Sequence, residues 1–165
     1  MADFTGKVLQ KQITDSRKEY LSHDVETWRR SYFNRENGGY LVVRRQRIEH
    51  SKISKNERAK FDKEYAMCMV FAQNGYRTEM LKERSGFSSS DITINGVTAE
   101  LKKTSSHNNI VSYAKKAIDK QGAKMVLFAF DTMNVETMKE LIKLRGLNIP
   151  IKYYLTNDKT HIIDL

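Results

Sequence analysis

The chain has 165 residues, of which 39% are hydrophobic and 30% charged, and its formal net charge is +9. That length suits one domain with a real core plus an appendage, and the apolar content excludes a disordered chain. The single cysteine excludes an internal disulfide, no apolar run reaches membrane-spanning length, and MADFTGKVLQKQ lacks the apolar core of a signal peptide. The expected location is therefore cytoplasmic, or the chain derives from a larger exported protein.

The positive excess is spread along the chain: 10 Lys and Arg stand against 7 Asp and Glu up to His50, and 19 against 13 beyond it. A diffuse positive field favours a polyanion such as nucleic acid, although solubility alone also makes many domains basic.

In chain order, Asp15 to Arg30 reads as a polar helix anchored by Tyr20, Leu21, Val25 and Trp28. Two short strands follow around Glu36-Asn37-Gly38-Gly39, where Asn-Gly and Gly-Gly signal turns. IEHSKISKNE reads as a polar connector, which divides a 1–50 extension of helix and hairpin from a domain over 51–165. Ser54 caps a helix to about Asn74, with Glu57 completing a capping box and Gly75 as the stop. YRTEML is a strand and ERSGFSSS a turn-rich loop.

A β-hairpin occupies SDITINGVTAELKKT. Beyond it, Asn108 or Asn109 caps a helix through Lys120 that ends at Gly122. KMVLFAF reads as a strand covered on both faces. Val135 to Leu144 is an amphipathic helix stopped by Gly146, and IKYYLT and HIIDL close the chain as strands. The order α-β-β-β-α-β, then α-β-β, predicts an α/β fold with a mixed β-sheet and flanking helices.

The hairpin carries the chemistry. Asn95-Gly96 fits a two-residue type I′ turn, which sets Ile92 opposite Ala99 and Asp91 opposite Glu100. Lys102, two residues past Glu100, shares that face, while Ile92, Ile94, Val97, Ala99 and Leu101 make the apolar one. Two opposed carboxylates repel unless a cation lies between them, and Mg²⁺ takes such oxygens. Asp91 and Glu100 are thus the candidate ligands of a divalent metal, and Lys102 the candidate for handling the attacking water or the charge on phosphate. The bland reading is an ordinary polar strand face in which Lys102 neutralises Glu100.

Glu64 falls inside the apolar stripe Phe61, Cys68, Phe71 of its helix, where a carboxylate needs a metal or a cationic partner, with Lys the expected one. Lys103, His107, Lys115, Lys116 and Lys120 are candidate contacts to a nucleic-acid backbone; a solvated helix face explains Lys115, Lys116 and Lys120 equally well, and a polar loop capping that helix accounts better for His107. The four histidines show no zinc spacing, and there is no Gly-rich phosphate loop or G-x-S-x-G element.

With Asp91 opening one strand and Glu100-Leu101-Lys102 in the next, the arrangement resembles the PD-(D/E)XK nuclease superfamily and its restriction-endonuclease-like αβββαβ core. EYAMCMVFAQNGYRTEMLKE, SDITINGVTAELKKT and KQGAKMVLFAF are similar to the C-terminal nuclease toxins of contact-dependent inhibition proteins and to phage and mobile-element modules. The resemblance covers Ser54 to Phe130. It implies a metal-dependent endonuclease acting on DNA or RNA, tRNA included, with Mg²⁺ at Asp91 and Glu100, catalysis by Lys102, an auxiliary role for Glu64 and an immunity protein as partner. Ser90 stands where the superfamily motif has Pro, and the Asp-to-Glu spacing is short. The alternative is a catalytically silent nucleic-acid-binding or phage structural module on the same fold.

Overall fold

A computed structural model describes residues 2–82 and 91–165. The turn-rich loop expected at 83–90, with Ser90, lies outside the described residues. The chain divides into two compact units, residues 1–82 with 93–96, and residues 83–92 with 97–165. Each unit is a mixed sheet with helices, so the α/β expectation holds.

In the first unit the elements are α1 (Ala2–Ser22), β1 (Trp28–Phe33), β2 (Tyr40–Arg44), α2 (Arg45–His50), α3 (Lys55–Gln73) and β3 (Arg77–Met80). β1 and β2 pair antiparallel; β2 and β3 pair parallel, with Tyr40 beside Arg77 and Val43 beside Met80. Two strands joined through helices and laid parallel are what a crossover connection produces. Trp28, Tyr40 and Val42 form a buried cluster with Tyr20, Phe33 and Leu81 packed on it. α3 packs against β2 and β3, and its Phe61, Met67, Cys68 and Phe71 are buried. Its N-terminus is as expected, with the Ser54 hydroxyl accepting from Glu57 N at 3.2 Å. Gly39 lies where β2 begins beside the end of α3. A Cβ there would sit 1.9 Å from the Ala72 carbonyl oxygen, so no larger residue fits.

Three expectations change in this unit. The first helix is Ala2–Ser22, not Asp15 to Arg30. It ends early because the Asp24 carboxylate accepts from Thr27 N at 2.7 Å, a turn that starts a strand. Trp28 is then a strand residue, and Arg30 reaches back to donate to the carbonyls of Leu21 (2.7 Å) and His23 (2.9 Å) at the helix end. Residues 45–50 form a short helix with Arg47 buried, and its second half, 48–50, takes the start of the expected polar connector. The boundary placed near Ser51 consequently falls inside the first unit, because β2 is the strand on which β3 pairs.

The second unit contains β5 (Val97–Lys103), α4 (Ile110–Gln121), β6 (Val126–Phe130), α5 (Val135–Lys143), β7 (Ile151–Leu155) and β8 (Asp158–Asp164); β4 (Ile92–Ile94) spans the two units. β5, β6 and β7 are parallel neighbours joined through α4 and α5, and β8 returns antiparallel on β7. Both helix connections are the crossovers that the alternation predicts. Gly122 (φ 66°) ends α4 as expected. After α5 a 3₁₀ turn carries the chain past Gly146 to Asn148, which is the left-handed residue there (φ 54°). One face of this sheet, with Val126, Phe128, Phe130, Ile151 and Tyr153, packs on Ile110, Ala114 and Ala117 of α4 and Leu141 of α5.

Candidate active site

The turn that organises the site has the backbone its residues favour. Asn95 (φ 50°) and Gly96 (φ 81°) are both left-handed, as a type I′ turn requires. Beyond the turn, β5 alternates cleanly: Ala99 and Leu101 are buried, Glu100 and Lys102 half-buried, and Lys103 exposed. Glu100 N donates to Met125 O at 3.1 Å, and the register sets Glu100 beside Val126 and Lys102 beside Phe128.

Paired residues of neighbouring strands share a face. Glu100 and Lys102 therefore lie on the helix-covered side of the sheet, continuing the row that Val126 and Phe128 occupy. The polar pair stands beside an apolar layer, with side-chain exposures of 17% for Glu100 and 22% for Lys102. Lys102 Nζ lies 3.2 Å from Glu100 Oε1 and 5.6 Å from the centroid of the Tyr113 ring in α4. Partial desolvation strengthens such a charge pair relative to an exposed one. The aromatic face adds a second attraction for the ammonium.

Asp91 is half-buried immediately before β4. Thr104, just past β5, organises the next loop. Its hydroxyl donates to Ser106 O at 3.0 Å and accepts from Ser106 N at 3.1 Å. The Ser106 hydroxyl in turn accepts from Asn108 N at 3.3 Å. His107 opens the 3₁₀ turn before α4 and is half-buried, and Lys115, Lys116 and Lys120 are exposed along α4.

Glu64 belongs to the first unit, where its carboxylate accepts from the Arg47 guanidinium. Arg47 is 3% exposed and also donates to Leu81 O at 3.2 Å. The cation that Glu64 needs is thus an arginine from α2 rather than a lysine. Sequence reasoning missed Arg47 because it sits in a run of polar residues; the signal was Glu64 itself, a carboxylate in an apolar stripe that requires a buried partner. Cys68 is fully buried, and that burial pushes its thiol well above the ordinary range, which removes it as a nucleophile.

Among the described residues no group of three or more His, Cys, Asp or Glu side chains could hold a metal ion. Mg²⁺ in general is commonly held by only one or two protein carboxylates, with water and substrate phosphate completing the shell. Among those residues no helix is long and apolar enough to cross a membrane.

No protein-family model and no curated protein matches the sequence. Among solved structures, the chain is similar to a chain of the CdiA-CT/CdiI toxin and immunity complex from Burkholderia pseudomallei. The identity is 13%, the TM-score 0.49, and the match covers 68% of this chain and 87% of that one. A likeness at that level leaves the functional reading to the chain's own residues.

Proposed function

We propose that the protein is a metal-dependent nuclease of the PD-(D/E)XK type, a toxin or mobile-element enzyme that hydrolyses phosphodiester bonds of DNA or RNA in the cytoplasm of a target cell. The observation that carries this reading is the Glu100–Lys102 pair: a carboxylate and an ammonium 3.2 Å apart, on one face of a strand, beside a helix-covered layer. Asp91 and Glu100 are the groups that would hold Mg²⁺, and the bound ion would supply a more acidic water and charge neutralisation at the phosphate. Glu100 holds Lys102 at the site. Lys102, its Nζ placed by Glu100 and Tyr113, donates to the attacking water or to a phosphate oxygen. Lys103, His107, Lys115, Lys116 and Lys120 supply positive charge and donors for the backbone. Glu64, engaged by Arg47, supports the first unit rather than the ion. An immunity protein would be the partner that silences such a toxin.

The same Glu100–Lys102 pair favours a second reading, a silent nucleic-acid-binding module, because the two side chains already neutralise each other without a metal. Incubation with plasmid DNA and with total tRNA, with and without Mg²⁺, separates the two. Cleavage that requires Mg²⁺ and is lost in Glu100→Gln supports the nuclease. Binding of either nucleic acid without cleavage under every metal condition sinks it in favour of the silent module.

A further inference from the structure

In the first unit a cavity of about 410 Å³ is lined by Gln12, Asp15 and Glu19 of α1, Arg77 at the start of β3 and Asn95 at the hairpin tip. None of these residues takes part in the chemistry proposed above. The volume lies within the range of small-ligand clefts, roughly 300–1,000 Å³. Its walls are fixed by the protein's own hydrogen bonds. The Ser16 hydroxyl donates to Gly38 O and ties α1 to the turn beneath it. Arg77 N donates to Asn95 Oδ1 at 2.9 Å, and Asn95 N donates to Arg77 O at 2.8 Å, which locks these two residues together.

Part of the lining is already engaged. Glu19 accepts from the Tyr40 hydroxyl on Oε1 and from Arg77 Nη1 on Oε2, each at 2.7 Å, so its carboxylate is a strut. Among the described residues, Arg77 keeps Nε and Nη2, and Asn95 keeps Nδ2, as donors with no protein acceptor. Among the same residues, the Asp15 carboxylate has only Lys11, at 3.8 Å. The lining thus offers both unengaged donors, on Arg77 and Asn95, and a carboxylate acceptor, on Asp15.

We infer that this cavity binds a guanine base, an inference that rests on the nuclease reading for its source, a nucleotide of the substrate turned out of its stack. Guanine carries two acceptors side by side, O6 and N7, for which arginine is the commonest bidentate partner. The adjoining edge carries two donors, N1–H and the N2 amino group, which match one carboxylate. Adenine and cytosine present an amino donor where guanine has O6, and that donor would meet the Arg77 guanidinium.

Titration calorimetry of the metal-free protein with the 5′-monophosphates of guanosine, adenosine and cytidine holds the phosphate constant and varies only the base. The guanine nucleotide should bind at least about tenfold more tightly than the other two, the scale of one good bidentate pair. Asp15→Asn, at an exposed helix position and with an unchanged melting temperature as control, should erase that preference. Equal binding of the three nucleotides, no binding at millimolar concentration, or a preference that survives Asp15→Asn would each overturn the inference. Cleavage without a guanine preference removes the base pocket alone; a guanine preference without cleavage removes the nuclease reading and leaves the pocket standing.

Discussion

Arg47 in α2 and Glu64 in α3 form an ion pair whose guanidinium is 3% exposed and shares a second bond with the Leu81 carbonyl. Removing one member of a buried pair strands the other charge and costs roughly 3–5 kcal/mol. Glu64→Ala should therefore lower the urea midpoint sharply, whereas Glu64→Gln, which can still accept from Arg47, should lower it far less. If Glu64 instead worked mainly through a bound ion, both variants would unfold like the parent and differ from it only in Mg²⁺-dependent cleavage.

The parallel pairing of Tyr40–Val43 with Arg77–Met80 gives the second prediction. Tyr40, Leu41, Val42 and Val43 are each 0% exposed, so they are the centre of the first unit. A protein beginning at Ser51 loses β1, β2, α1 and α2 and leaves Thr78 and Met80 without cover. It should be unfolded or aggregated by circular dichroism and limited proteolysis. A cooperative thermal transition matching the parent's would refute the assignment of β2 to that core.

Glu19 makes the first unit sensitive to acid. Burial alone would raise the pKa of its carboxyl, but hydrogen bonds from Tyr40 and Arg77, with the Arg77 and His23 charges, outweigh it and hold the group below the ordinary range. A carboxyl depressed in the folded state stabilises it above the unfolded value, about pH 4, and that contribution is lost as pH falls through the folded value. Urea midpoints measured from pH 7 downward should therefore fall below about pH 4. They should fall less in Glu19→Gln, which starts from a lower midpoint at neutral pH. Parallel curves for parent and variant would show that Glu19 contributes nothing to the acid limb.

The parts of the fold that could be read from the sequence are those where local signals and tertiary packing agree. Asn95-Gly96 names its turn, Ser54 and Glu57 name a helix start, and the alternation Ala99, Glu100, Leu101, Lys102 names a strand and its faces. Reading failed where a distant partner decided the outcome. Trp28 looks like a helical anchor until Asp24 caps a turn and Tyr40 offers a buried neighbour. Arg47 looks solvated until Glu64, seventeen positions on in the sequence, claims it. The cavity at Arg77 was invisible because four separate segments build it. The position of Glu100 and Lys102 beside the α4 layer likewise depends on the register of β5 on β6, which no local pattern specifies.

Lys102 and Lys103 provide the sharpest test, since they are chemically identical neighbours in β5 that point to opposite faces. Lys102 is half-buried against Glu100 and Tyr113, and Lys103 is exposed. A lysine that stabilises charge at a reacting phosphate should, when replaced by methionine, slow single-turnover cleavage by about 10²-fold or more. Its loss should change nucleic-acid affinity little, because one charge among many contributes a small share of backbone binding. Lys103→Met should leave the cleavage rate intact, weaken binding slightly and lower its salt dependence by at most about one phosphate contact. Folding controls matter for Lys102→Met, since it leaves the Glu100 carboxylate without its ammonium; its melting temperature should be compared with that of Glu100→Gln/Lys102→Met, which removes both charges. Equal cleavage rates for the two single variants would show that the face shared with Glu100 is not the reacting one, and the Glu100–Lys102 pair would then stand as a salt bridge of the fold.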